Sequence, residues 1–289
     1  MPTGIFFHYQ QGERLQDFPQ VLGTILERDD VFLYDALYPS KPKSSFDLEP
    51  LPLETLCKVH SPEMIERVKA TGNYEGALYS AAGTVAAARR ICSGEITNAF
   101  VFTGYGDHHV GSSFFGGGCY FNGAALAISE VRRKSPFTRF AIIDTDAHHG
   151  DGTWELFEND REVLYLCFCN GNSREHNNNV NIYVPPHTTD SHYLSLTEQA
   201  FHERVEGFHP ELIFWNWGYD GTVGEYGDMG LSPELHLKLT LQIKQLAQEA
   251  CSGRLIVVLC GGSRRDYARL LIPAIVEILA DQGVYNTSP

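Results

Sequence analysis

Short apolar runs alternate with longer helix-like segments along this chain, and no other feature restricts its fold as tightly. The runs are Gly4–His8, Ala99–Thr103, Phe140–Asp144, Glu162–Phe168, Leu212–Trp217 and Leu255–Cys260. They are strand-length and show little polar alternation, the pattern of strands buried on both faces. Between them, Ala77–Ser93 is alanine-rich and stops at Gly94, a residue suited to the left-handed position after a helix. Asn122–Lys134, Asp190–Glu206 and Ser232–Ser252 also read as helices, the last with Ser232 as N-cap and Pro233 in its first turn. Asp266–Gln282 has helical apolar spacing, and Pro273 predicts a kink or break in it. Tyr38–Pro52 and Asn170–Asn179 read as loops. Strands alternating with helices predict an α/β fold: a single domain over residues 1–289 with a mostly parallel central sheet flanked by helices on both faces. No linker-like stretch or internal repeat argues otherwise.

The formal net charge of −14 disfavours a nucleic-acid partner, since Arg132-Arg133-Lys134 and Arg264-Arg265 are the densest basic runs. A cationic amine suits that field better. No run approaches the ~18 apolar residues of a membrane span, and no secretory signal is visible. The seven cysteines lack metal-type spacing, and Cys167 and Cys169 sit in an apolar run as strand residues. A cytoplasmic protein with reduced thiols is the expectation.

The polar residues that carry chemistry follow the apolar runs. One run leads into Thr103-Gly-Tyr-Gly-Asp-His108-His109, another into Asp144-Thr-Asp146-Ala-His148-His149-Gly-Asp151, a third into Trp217-Gly-Tyr-Asp220, and the last into Cys260-Gly261-Gly262-Ser263-Arg264-Arg265. Ligands of open α/β sheets collect beyond the carboxyl ends of the strands. Asp146 and His148 are two apart, so both side chains can project the same way, and Asp220 can supply a third donor. Three protein donors and an open position make a catalytic zinc site. The mixed oxygen and nitrogen set also accepts Fe2+ or Co2+. An aspartate at one strand end is often only a helix cap; three strand ends that all gather Asp and His ask for more than capping.

At these residues the chain resembles the histone deacetylase and acetylpolyamine amidohydrolase family, with its arginase/deacetylase fold. The resemblance runs through Val59–Val68, Asn73–Gly94, Cys119-Tyr120-Phe121-Asn122, Asp144–Gly152 and Gly230-Leu231-Ser232-Pro233-Glu234. It implies zinc on Asp146, His148 and Asp220, and His108 and His109 as the family's tandem histidines. Asp144 and Asp151 then partner His108 and His109, respectively. His109 becomes the general base and later the acid, while His108 stabilises charge. A potassium ion near the backbone of Asp144, Asp146 and His148 is implied as well. The implied reaction is removal of an acyl group from an acylated amine, such as an acetylpolyamine or acyl-lysine, by a metal-activated water.

Four positions depart from the family. Ser263 stands where the family reads a tyrosine that donates to the substrate oxyanion. Loss of such a donor typically costs ~10²–10³ in turnover. Arg264, Arg265 and Tyr267 are the sequence candidates to replace it. Gly118, after Gly116 and Gly117, stands where lysine deacetylases place a channel phenylalanine, which predicts a wider pocket unless Phe114 or Phe115 refills it. Asp107 stands where relatives carry glycine; its carboxylate either raises the pKa of a neighbouring imidazole or points into solvent. Cys169 replaces a common histidine, from which nothing is drawn. Two alternatives follow from Ser263: a zinc-containing binding protein with little turnover, or a hydrolase of esters or thioesters. Two-metal arginase chemistry is disfavoured because Gly221 and Thr222 follow Asp220, leaving a second metal without its carboxylate.

Overall fold

The computed structural model describes residues 2–9, 15–36 and 48–281. Its nine strands are β1 Thr3–His8, β2 Val31–Ala36, β3 Asn98–Val101, β4 Phe140–Asp144, β5 Val163–Cys169, β6 Arg174–His176, β7 Asn179–Tyr183, β8 Leu212–Trp217 and β9 Leu255–Leu259. They form one sheet in the order β2-β1-β3-β9-β8-β4-β5-β7-β6. Every pair is parallel except β6 with β7. The helices are α1 Leu53–Leu56, α2 Pro62–Ala70, α3 Tyr74–Cys92, α4 Gly123–Lys134, α5 Asp151–Phe157, α6 Asp190–Ala200, α7 Glu206–Phe208, α8 Pro233–Cys251 and α9 Arg265–Ala280.

Side-chain alternation splits the core into two layers. Ile213, Trp215 and Trp217 of β8 pack on one side with Leu235, Leu239 and Ile243 of α8 and Leu271 and Ile275 of α9. Leu212 and Phe214 pack on the other with Ala81, Val85 and Ala88 of α3 and Leu126 and Ile128 of α4. Each central strand is thus buried along its length and mostly apolar, which is why all six were readable from their apolar runs. The three that were not are at the sheet's margins. β2 carries Asp35 and an exposed Phe32. β6 is exposed along its length and β7 is built from Asn179, Asn181 and branched residues. The expected loop over Asn170–Asn179 is therefore corrected: it contains β6 and the first residue of β7. An edge hairpin has no need of an apolar run.

The helix boundaries follow local capping chemistry. The side chains of Ser61, Asn122, Thr189 and Ser232 accept hydrogen bonds from the backbone N–H of Met64, Ala125, His192 and Leu235. Gly94, at φ +77°, follows the end of α3 in the left-handed conformation that favours glycine. Two expectations change. α9 continues through Pro273 from Arg265 to Ala280, so the proline does not break it. The helix expected over Asp190–Glu206 ends as α6 at Ala200 and widens into a π-type turn over Phe201–Val205 before α7. Residues 38–47 of the expected proline-rich loop lie outside the described residues, as does Gln282; Leu48–Pro52 has no regular structure. No described helix is long and apolar enough to cross a membrane.

One buried carboxylate ties α3 to α4. Glu130 is 5% exposed and lies 2.5 Å from Arg89, 2.9 Å from Arg133 and 2.6 Å from Lys134. Burial would raise its pKa, but the three cations outweigh burial and hold it at about 2. A depressed carboxylate stabilises the fold above its unfolded pKa of ~4.3 and loses that effect as pH falls through the folded value. Glu130→Gln is expected to lower stability by about 1–2 kcal/mol at pH 7. In denaturant titrations the difference from wild type should narrow between pH ~4.3 and about 2.

Candidate metal and catalytic site

Four adjacent strands, β3, β9, β8 and β4, carry the four polar segments at their carboxyl ends. Parallel pairing sets those ends side by side, and this brings residues far apart in sequence into one cleft. From β4 come Asp144, Asp146 and His148; from β8, Asp220; from β3, His108 and His109; from β9, Gly261 and Gly262.

Asp146, His148 and Asp220 converge. The Nδ1 of His148 lies 3.0 Å from Asp146 Oδ1 and 2.8 Å from Asp220 Oδ2, and one donor atom from each residue falls within 4.8 Å of the others. Both carboxylates are buried, Asp146 at 2% exposure and Asp220 at none. Asp220 Oδ2 is buried and has no hydrogen bond, although it lies within ion-pair distance of the imidazole. Burial and the charge of Asp146 push Asp220 up to about 6, while the two carboxylates raise His148 to about 10. Two buried carboxylates, an imidazole nitrogen and an orphaned oxygen facing one point are the donor set a divalent cation takes.

Glycines let the backbone close around this set. A Cβ at Gly261 would collide with Asp146 Oδ2 and stand 2.8 Å from Asp220 Oδ1; one at Gly218 would stand 2.5 Å from Asp146 Oδ2. Backbone N–H groups complete the cage: Asp146 donates to Asp144 Oδ1 at 3.2 Å, His148 to Asp146 Oδ1 at 2.9 Å and Ala147 to Asp220 Oδ1 at 3.2 Å.

Both histidine–carboxylate pairs form. His108 Nδ1 lies 2.9 Å from Asp144 Oδ2, and His109 Nδ1 lies 2.7 Å from Asp151 Oδ1. The other nitrogen of His108 approaches Asp146 Oδ1 at 3.7 Å. The imidazole of His109 stands 6.2 Å from that of His148, centroid to centroid. Their settings differ. The side chain of His108 is 3% exposed and that of His109 is 21% exposed. Burial opposes the charged form of both. Asp144 and Asp146 overcome it at His108, whose pKa rises well above 6.5; at His109 burial and the charge of His108 prevail, and its pKa falls.

Other expected residues are also placed. Gly117 sits against the His109 ring with φ +57°, whereas a Cβ at Gly116 or Gly118 would enter open space. Phe115 packs against Tyr120 and Arg67, and Phe114 lies beside Gly111. Asp107 does not point into solvent: it is 1% exposed and accepts from the Ala124 N–H at the start of α4. Burial pushes Asp107 itself up to about 7. The polar heads of the four candidates around residue 263 bind elsewhere. Ser263 donates through its hydroxyl and N–H to Glu225, and Arg264 forks onto Asp266. Arg265 reaches Asp17, and the Tyr267 phenol donates to the Val223 carbonyl at 2.8 Å.

Sequence patterns gave no signal for three further parts. The phenol of Tyr165 donates to Asp144 Oδ2 at 2.8 Å, fixing the carboxylate behind His108. Tyr226 lies over His148, with ring centroids 5.6 Å apart and planes inclined by 22°. The strand positions of Cys167 and Cys169 are as expected, yet the fold brings His149 to both, with donor atoms within 4.8 Å of one another. Spacing along the chain cannot reveal such a cluster, because β5 meets the loop after β4 only in the sheet.

The α/β sheet thus carries an Asp/His/Asp donor set that could hold a metal ion, with two histidine–carboxylate pairs beside it at the strand ends. Comparison with known proteins is specific. The family model described as Histone deacetylase domain matches residues 70–279, and the chain belongs to that family. It is similar to a protein of Archaeoglobus fulgidus named as a probable deacetylase, with 27% identity across 91% of this chain and 81% of the relative. A histone deacetylase-like amidohydrolase of Pseudomonas aeruginosa is 28% identical across 78% of this chain and 68% of its own. The HD domain of HDA15 has the same fold, with a TM-score of 0.78 at 21% identity over 96% of this chain and 89% of that one.

The glycine cage yields a prediction. Gly261→Ala forces Asp146 and Asp220 apart. It is expected to weaken zinc binding by about 10–100-fold in a competition titration, as losses around a metal's ligands do, with the circular dichroism of the fold retained.

Proposed function

We propose that the protein is a zinc-dependent, deacetylase-like amidohydrolase that removes an acyl group from a small acylated amine or an acyl-lysine. The observation that carries this reading is convergence: two histidine–carboxylate pairs flank one Asp/His/Asp donor set at neighbouring strand ends. Asp146, His148 and Asp220 would hold the ion, which could also be Fe2+ or Co2+. A bound divalent ion supplies polarisation of the acyl carbonyl and a lower pKa for an adjacent water.

The chain's own residues divide the remaining work. His109 is reachable from the cleft, and Asp151 fixes its tautomer through Nδ1, so Nε2 takes the proton of the attacking water. The same nitrogen returns that proton to the departing amine. His108, buried between Asp144 and Asp146, carries positive charge beside the developing oxyanion. The open space at Gly116 and Gly118 leaves one wall of the acyl channel wide. The acidic surface favours a substrate whose freed amine is a cation.

The test is amine release from acetyl-lysine peptides, acetylated polyamines and activated esters, each with and without a chelator. Chelator-sensitive amide cleavage is expected, restored by zinc. Ester cleavage alone, or stoichiometric zinc with no turnover, would remove the amidohydrolase reading. Within it, His109→Ala is expected to cut kcat by ~10²–10⁴, the usual contribution of a general base, while zinc content stays that of wild type.

A further inference from the structure

We infer that His149, Cys167 and Cys169 form a second metal site, separate from the Asp146/His148/Asp220 donor set, which takes a zinc-class divalent cation through two thiolates and an imidazole. One donor atom from each of the three residues lies within 4.8 Å of the others. A tetrahedral ion with metal–sulfur bonds of ~2.3 Å fits among donors so placed. The topology builds the cluster. Cys167 and Cys169 are two apart on β5, so both side chains leave the same face of the sheet. His149 comes from the loop after β4, which pairs with β5 on one side. Asn181 comes from β7, which pairs on the other, and stands opposite Cys167.

Asn181 supplies a fourth donor. Its amide nitrogen donates to the carbonyls of Gly171 and Asn172 at 3.1 and 2.9 Å, and this fixes which end of the amide faces the cluster. The oxygen then lies 2.8 Å from His149 Nδ1 and 3.2 Å from Cys169 Sγ. The Gly171 N–H donates to Cys169 Sγ at 3.4 Å, the kind of backbone support that orients a ligating thiolate. A Cβ at Gly171 would stand 3.3 Å from the same sulfur, so the loop closes tightly on it. Burial and charge select the ion. Cys167, Cys169 and Asn181 are all buried. Two thiolates at that depth are tolerated only beside opposite charge. A divalent cation neutralises them, whereas a monovalent one leaves a buried negative charge. Sulfur ligands favour zinc-class ions over Mg2+ and Ca2+. A buried cysteine alone is usually an apolar filler; two sulfurs sharing an imidazole and an oriented amide oxygen are arranged for more. On binding, the two thiol protons pass to solvent. His149 is half-buried and Asn170 and Asn172 are exposed, so an ion has a short way in. Once bound, it ties β5 and β7 to the loop that carries His148.

The experiment is a Co2+ titration of chelator-stripped, reduced protein, read by near-ultraviolet absorption. Sulfur-to-cobalt charge transfer absorbs strongly there, and carboxylate and imidazole ligands give no such band, so the readout ignores the first donor set and needs no turnover. Wild type is expected to show the band, and added zinc to abolish it. Asp220→Asn, which disables the first set, should keep it, as should Cys57→Ser, which removes an exposed cysteine at the end of α1. Cys169→Ser is expected to weaken cobalt binding at this site by at least ~10–100-fold, a loss that even outer partners of a metal site produce. His149→Ala, at a half-buried position, should do the same and serves if the buried serine disturbs folding. Absence of the band in folded wild type, its loss in folded Asp220→Asn, or its undiminished survival in Cys169→Ser or His149→Ala would overturn the assignment. None of these results bears on the amidohydrolase reading.

Discussion

Three carboxylates with almost no access to water share one end of the sheet, and the surrounding structure answers the cost of burying them. Asp144, Asp146 and Asp220 are 0–2% exposed. Charges so placed are tolerated only when paired and hydrogen-bonded. Three successive backbone N–H groups, the Tyr165 phenol and the imidazoles of His108 and His148 meet part of that demand. The remainder, an oxygen of Asp220 without a hydrogen bond, falls where the donors of the set converge. The same packing that makes the carboxylates expensive makes their geometry stiff, because no side chain larger than glycine fits at positions 218 and 261.

How much of this was legible in the sequence depended on where each element lies in the sheet. β8 reads as Leu-Ile-Phe-Trp-Asn-Trp because both faces of a central parallel strand meet helices. β6, Arg-Glu-His, is the edge strand with all three residues exposed and carries no apolar signature. The metal-type residues were legible because they follow apolar runs at strand ends, where type and position point the same way. Tyr226 was not. An exposed aromatic in a loop has no period and no flanking apolar run, and its place over His148 is created only by the fold. Asp107 was legible in part: its charge interacts with His108, but it is buried against the start of α4 and does not point into solvent.

Membership of the histone deacetylase family fixes the scaffold, and the departures are concentrated at the mouth of the cleft. The glycines at 116–118 and residues 263 and 264 lie on loops and Arg265 and Tyr267 open α9, while the carboxylates and histidines lie within or after the strands. This division matches the physics of parallel α/β folds, in which loops vary over a rigid set of strand ends. The two histidine pairs illustrate the rigid part. They use the same residue types, yet two carboxylates overcome burial and favour charge on His108, while burial and the charged His108 beside it disfavour charge on His109.

The Glu225 clamp links the loop after β8 to the segment after β9 through three donor groups converging on one buried carboxylate. That makes the two segments a single heritable unit. A tyrosine introduced at position 263 would meet Glu225 and lose the hydroxyl that satisfies it, and a change at position 225 would strand the N–H groups of residues 263 and 264. Neither segment can drift toward another arrangement alone. Variation at this rim should therefore arise as paired replacements, with the two loops exchanged together between scaffolds and rarely one residue at a time.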